Sequence, residues 1–314
     1  YEIAQCLVGS EMCIRDSSDT AFKDTLLAVK DEYYKSEFAG IACAFKNSGI
    51  GVGLPDIGRT ILEVQNGKII IRTSAACMGQ GVGTTMTQIV CEVLNIDANS
   101  VVWIQPDTKR TPDAGTSTAS RQTLFTGEAT RIAALKLKAA IKGNDLNSVN
   151  GQEFYGEYYG KTDKMGSEKN NPISHVAYGY ATQVVILNKD GSLKKVIAAH
   201  DVGKAINPLN VEGQIEGGVV MGLGYALTED YPLKEGVPTA KFGTLGLFKS
   251  NMVPEIESII IEKNNVELAY GAKGVGEITC IPTAPAVQGA YYKLDGKFRT
   301  KLPLEDTFYI RKFK

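Results

Sequence analysis

Asn66-Gly67 joins two strand-like runs, residues 60–65 and 68–73, and that dipeptide is a strong short-range hairpin signal because both turn residues tolerate positive φ. A second hairpin signal, Lys189-Asp190-Gly191, joins residues 183–187 and 193–198. The elements after each hairpin come in the same order. After the first, Gly79-Gln80-Gly81-Val82-Gly83 leads into Met86, Ile89, Val90, Val93 and Leu94, the apolar stripe of an amphipathic helix. Residues 101–105 then read as a strand stopped by Pro106, residues 115–120 as a Thr/Ser/Gly-rich loop, and a helix carrying Ile132, Leu135 and Ala139 runs to Gly143. After the second, Asn207 as N-cap and Pro208 in the first turn open a helix containing Gly213-Gln214-Ile215-Glu216-Gly217. Residues 258–262 read as a strand, and the glycine stretch 270–280 leads into a helix over residues 282–294. The order hairpin, helix, strand, loop, helix thus occurs twice, with little identity between the copies. It restricts the chain to an α/β (α+β) fold of two duplicated two-layer lobes with mixed sheets and a ligand cleft between them.

The rest fits around that frame. Residues 20–34 are weakly helical, with Phe22, Leu26 and Val29 at helical spacing, and residues 40–45 suit a buried strand ended by Gly49, Gly51 and Gly53. The polar, Gly-, Tyr- and Lys-rich residues 144–171 read as a loop or crossover, which divides the chain into a first lobe, 17–150, and a second, 151–314. Residues 1–16 are set aside because residues 7–16 resemble a translated sequencing-library adapter. On that reading Cys6 and Cys13 are foreign to the protein, and its true N-terminal part is expected to be missing.

A net charge of -1 over 314 residues gives no basic surface for nucleic acid, and no apolar run reaches the roughly 18 residues of a membrane span. The remaining cysteines, Cys43, Cys77, Cys91 and Cys280, have neither Cys-x-x-Cys spacing nor a nearby His, so no zinc site or iron–sulfur cluster is encoded. Reduced thiols point to a cytoplasmic protein. His200, at a strand end, is expected to be a hydrogen-bonded structural residue.

Four segments are candidate ligand loops: residues 79–83, 116–122, 213–217 and 271–277. Each lies at or near an expected helix start, where unpaired N–H groups and the helix dipole suit an anion. Singly, each is most simply structural punctuation. Together they suggest a long, phosphate-bearing cofactor gripped from several sides. Rossmann and P-loop spacings are not matched. Glu277, delivered by the last loop, is either a helix-start acid or a general base; a positioned carboxylate with a burial-raised pKa contributes roughly 10²- to 10⁴-fold to a rate. Lys273 has three open readings: it orients the loop, pairs with a phosphate, or is solvated.

Met78-Gly79-Gln80-Gly81, Thr118-Ala119-Ser120, Gly213-Gln214-Ile215-Glu216-Gly217 and Lys273-Gly274-Val275-Gly276-Glu277 together resemble the molybdenum-binding subunit of the xanthine oxidase family of molybdenum hydroxylases. In detail the chain looks most like the C-terminal part of the bacterial xanthine dehydrogenases described as selenium-dependent. The resemblance implies a molybdenum-molybdopterin cofactor in its cytosine dinucleotide form, with a sulfido or selenido ligand, and the metal held through the pterin dithiolene and not by the chain. Gly79 and Gln80 would meet the cofactor phosphate, with Gly81 in the same cofactor-binding set, and Gln214 would meet the pterin region. Ala119 and Ser120 would line the metal site, with Arg121 and Gln122 holding the cofactor's far end. Lys273 and Gly274 would belong to the same contact set, and Glu277 would be the base. The implied reaction is hydroxylation of a purine or related azaheterocycle, the alternatives being an aldehyde or nicotinate hydroxylase or a metal-free nucleotide-binding module. Electrons would leave through an iron–sulfur subunit and an FAD subunit, and the resemblance admits a homodimer of that complex. With the first cofactor-binding portion expected upstream, the fragment alone would be inactive.

Overall fold

The computed structural model describes residues 20–263 and 267–313; the adapter-like residues 1–16 lie outside the described residues. Helix α1 (Phe22–Lys35) leads into β1 (Ala39–Ser48), then the hairpin β2 (Ile57–Gln65) and β3 (Lys68–Arg72), helix α2 (Val82–Leu94), β4 (Val101–Trp103), α3 (Gln122–Ile141) and β5 (Glu153–Tyr159). A second hairpin, β6 (Ala177–Leu187) and β7 (Leu193–Asp201), is followed by α4 (Pro208–Leu227), β8 (Glu255–Ile261), α5 (Thr283–Asp295) and a short α6 (Phe308–Phe313).

The strands form two four-stranded mixed sheets, in the orders β5-β2-β3-β4 and β1-β6-β7-β8. The orders correspond strand for strand. In each, the hairpin is antiparallel, its second strand pairs in parallel with the strand reached through a crossover helix (β3 with β4, β7 with β8), and an antiparallel strand flanks the other side. The α3 helix covers β5 and β2 as α5 covers β1 and β6. Both flanking strands meet their helix through a glycine: a Cβ at Gly156 would run into the backbone of Ala129, and one at Gly40 into the backbone of Ala286 and Ala290. The duplication read from element order therefore extends to packing.

The two sheets are not built from successive stretches of chain. The flanking strand of the second sheet, β1, comes from before the first hairpin, while residues 144–171, expected as a loop, contain β5 and complete the first sheet. The β5 strand buries Phe154 and Gly156 in alternation with exposed residues, a two-residue period that its tyrosines mask in the sequence.

Burial follows the layers. Leu62, Val64, Ile69 and Ile71 pack under α2 and α3 with Met86, Ile89, Ala133 and Leu137. In the other lobe Val185, Val196 and Ala198 pack against Ile215, Val219 and Leu223 of α4 and Val287 and Ala290 of α5. The α1 helix covers the opposite face of that sheet, so β6 is buried almost along its length. The expected apolar face of α3 is also corrected: Leu135 is exposed, and the helix turns Ala133, Ala134 and Leu137 inward.

Candidate functional site

Four chain segments meet at one cleft of about 590 Å³, within the usual size range of cofactor pockets. Its walls are residues 78–80, 117–123, the stretch from Val202 to the first two turns of α4, and residues 272–277. Gly79, Gln80, Ala119, Ser120, Arg121, Gln122, Gln214, Lys273, Gly274 and Glu277 all line it. Gly81 does not; it caps α2 with a left-handed backbone, φ 77°. Gly213-Gln214-Ile215-Glu216-Gly217 is not a loop but lies inside α4, so Gln214 reaches the cleft from a rigid helix.

The loop before α2 is built to hold an anion. Backbone amides of Gly79, Gly81, Val82 and Gly83 converge on the exposed Cys77 thiol and hold it below its ordinary range, Gly79 having the largest effect. Such a nest of N–H groups at a helix start is the arrangement that cradles phosphate. Gly79 (φ 111°) has open space where a Cβ would sit. Gln80, expected to meet the phosphate, turns back on its own loop: its Nε2 donates to the Ala76 carbonyl at 2.9 Å and its Oε1 accepts from the Met78 amide at 2.7 Å. Across the cleft α4 starts as the Asn-Pro pair requires, with Asn207 Oδ1 accepting from the Asn210 amide at 3.0 Å. The Asn210 side-chain Nδ2 is buried and has no hydrogen-bond partner among the described residues. Gly79, at the edge of the loop before α2, and Asn207, Asn210 and Gln214, from the start of α4, thus line a single cleft.

The loop before α3 is strained: Ala119 and Ser120 are consecutive left-handed residues, each at φ 49°. Such conformations cost on the order of 1–3 kcal/mol each and persist where surroundings over-determine them. Here the Ala119 carbonyl accepts from the Gly49 amide at 2.9 Å, and Ser120 is bonded to Glu277. Arg121 is the anchor beneath, its side chain turned away from the cleft that its residue lines. Its guanidinium is fully buried against Asp56 and donates to the carbonyls of Ala114 (2.8 Å), Thr116 (3.0 Å) and Ile57 (2.6 Å). Gln122 is likewise turned inward, donating to the Thr116 carbonyl and Ser117 Oγ and accepting from Thr126. Both shape the loop and leave its backbone to face the cleft.

Lys273 is neither solvated nor facing the cleft with its charge. Its Nζ lies 2.8 Å from Asp201 Oδ2, and both side chains are inaccessible to solvent. Asp201 also accepts from the amides of Ala21 and Gly203 at 3.1 Å each. Burial pushes the Asp201 carboxyl above its usual range against the opposing pull of Lys273. Of the three readings of Lys273, loop orientation is the one its geometry supports. The same loop is tied at the Gly274 amide, which donates to Ser48 Oγ at 2.8 Å, and Gly274 has no room for a side chain because a Cβ would meet the Ser120 carbonyl.

Glu277 ends that loop, immediately before a short helical turn, and its carboxylate is not the buried group expected: the side chain is 46% exposed. It pairs with Lys46, Nζ to Oε2 at 3.0 Å, while Ser120 Oγ donates to the same oxygen at 3.1 Å and accepts from the Glu277 amide at 3.1 Å. His200 differs from expectation too. It is completely buried in β7, neither ring nitrogen has a partner in hydrogen-bond geometry among the described residues, and burial drives its pKa down to about 4. Sequence reasoning missed Lys46, Asp56 and Asp201, whose partners lie on other elements, and Asn210, which no motif marks.

No group of three or more His, Cys, Asp or Glu among the described residues is arranged to hold a metal ion, and no described helix is long and apolar enough to cross a membrane. A family model described as the molybdopterin cofactor-binding domain matches residues 25–147 and 144–254. The xanthine dehydrogenase molybdenum-binding subunit of Escherichia coli O157:H7 is 28% identical over 304 residues, covering 84% of this chain and 40% of that protein. The 6-hydroxypseudooxynicotine dehydrogenase complex subunit gamma of Paenarthrobacter nicotinovorans is 26% identical over 341 residues, covering 92% and 43%. Among solved structures, the aldehyde oxidoreductase from Desulfovibrio desulfuricans ATCC 27774 matches with a TM-score of 0.72 at 26% identity, over 86% of this chain and 32% of that one. The chain spans about two fifths of the length of the curated relatives it matches.

Proposed function

Because the chain belongs to the molybdopterin cofactor-binding domain family, we propose that its four-loop cleft seats molybdenum-molybdopterin and that Glu277 acts there as the base in hydroxylation of a purine or related azaheterocycle. The observation that carries this reading is the convergence of Gly79, Asn210, Gln214 and Glu277, from four separate motifs and elements, on one cleft that lies beside the amide nest at the start of α2. When bound, the cofactor supplies the oxygen-transfer and two-electron redox chemistry.

The chain's residues supply binding, orientation and a proton acceptor. Amides at the start of α2 hold the anionic end, helped by the α4 N-terminus and Asn210. Gln214 offers an amide to the pterin from inside α4, where its backbone is fixed. Ala119 and Ser120 form the wall beside the metal. Glu277 takes the proton released as substrate is hydroxylated, at the carboxylate oxygen that Ser120 leaves free, since Ser120 Oγ is bonded to Oε2. The relatives' names, a molybdenum-binding subunit and a complex subunit, support separate partner subunits; that these carry iron–sulfur and FAD groups and receive the electrons belongs to the same proposal. The cytosine dinucleotide form of the pterin and the terminal ligand, sulfido or selenido, belong to the same proposal. Molybdenum and pterin analysis of the purified full-length protein tests it: near one equivalent of each is expected, and protein free of both would overturn it.

A further inference from the structure

We propose that Lys46 is a positioning residue for Glu277, fixing which carboxylate oxygen accepts the proton. The inference rests on the reading of Glu277 as the base. Two donors from different elements meet the same oxygen: Lys46 Nζ at 3.0 Å and Ser120 Oγ at 3.1 Å, both on Oε2. The other oxygen, Oε1, has no partner among the described residues. A carboxylate held this way has one anchored oxygen and one left to take a proton.

Lys46 is itself held. Its ammonium also donates to Asn47 Oδ1 at 3.1 Å and to the Asn47 carbonyl at 3.2 Å, and its side chain is 24% exposed. Ser48, two residues on, accepts from the Gly274 amide. Residues two apart on a strand share a face, so β1 grips the glycine loop twice from one side, at its middle through Ser48 and at its end through Lys46. Partly exposed ion pairs contribute little to folding, and the consequence of this one is local: it removes the rotational freedom of a carboxylate at the end of a loop whose backbone is already tied down.

The test compares Lys46→Met and Lys46→Arg in the full-length, cofactor-loaded protein with its partner subunits. Misplacing a reacting group by about 1 Å costs up to about 100-fold, so Lys46→Met is expected to lower kcat about 10- to 100-fold. KM should stay within about threefold, because the contact does not hold substrate in the ground state. Molybdenum and pterin content should match the unaltered protein. Lys46→Arg, which keeps the charge and reach, should recover most of the rate. A crystal structure of Lys46→Met is expected to show the Glu277 carboxylate turned from its Ser120 contact. An unchanged kcat in Lys46→Met, loss of cofactor from it, or an Arg variant no faster than the Met variant each overturns the inference. If Glu277→Gln turns over normally, the base reading itself has failed; a normal Lys46→Met beside an inactive Glu277→Gln removes only the role of Lys46.

Discussion

Replacing Lys273 with Met separates an internal loop anchor from a cofactor contact. The substitution leaves the Asp201 carboxylate in a site without solvent access, still hydrogen-bonded to the amides of Ala21 and Gly203 but without its cation. Removing one partner of a buried ion pair costs about 3–5 kcal/mol, and the two remaining amides place this case near the lower end, about 3 kcal/mol. Removing both charges, in Lys273→Met with Asp201→Leu, takes away the unpaired charge and is expected to cost about 1–2 kcal/mol less than Lys273→Met alone. Urea denaturation of the cofactor-free chain, followed by far-UV circular dichroism, measures all four corners of the cycle. Because no cofactor is present, a lost cofactor contact contributes nothing. A Lys273→Met chain within about 0.5 kcal/mol of the unaltered one, or simple additivity in the double variant, would refute the argument.

His200 makes stability pH-dependent with a known sign. Its folded pKa of about 4 lies below the 6.5 of an exposed imidazole, so the unfolded chain binds its proton first. The stability is present above pH 6.5 and is lost as pH falls toward 4, by about 3 kcal/mol in total. Urea titrations at pH 7.5 and 4.5 should show that slope reduced in His200→Phe; equal slopes would contradict it. Cys77 is expected to alkylate faster than Cys43 near neutral pH, since both are exposed but amides lower the pKa of the first while burial raises that of the second. Peptide mapping after brief iodoacetamide treatment reads the order, and faster labelling of Cys43 would contradict the amide nest.

The duplicated architecture is legible in the sequence because its signals are local. Asn66-Gly67 and Asp190-Gly191 specify hairpins whatever packs on them, and Asn207-Pro208 opens α4 as written. The exchange of flanking strands is not legible, since nothing in residues 39–48 says which of two similar hairpins they will join. The face of α3 is hidden because that helix is covered along most of its first half, with residues 124–130 buried without a break, so a single apolar stripe is a poor guide. The side-chain assignments differ for a related reason. The motif residues do meet at one cleft, but whether Arg121, Gln122 and Lys273 point into it depends on Asp56, Thr116 and Asp201, which no spacing rule connects to them. Lys46 is the extreme case, since its contact with Glu277 joins the first strand of the fold to the loop before its last long helix.

The central claim is that Glu277 is the proton acceptor beside a bound molybdopterin, and Glu277→Gln in the full-length, partner-bound protein tests it most directly. The amide keeps the size of the side chain and removes its basicity, and steady-state turnover of a purine substrate can be read beside molybdenum content in the same sample. The account expects full molybdenum and pterin occupancy with turnover reduced by at least about 10²-fold. A loaded Glu277→Gln protein that turns over at the rate of the unaltered one would contradict it.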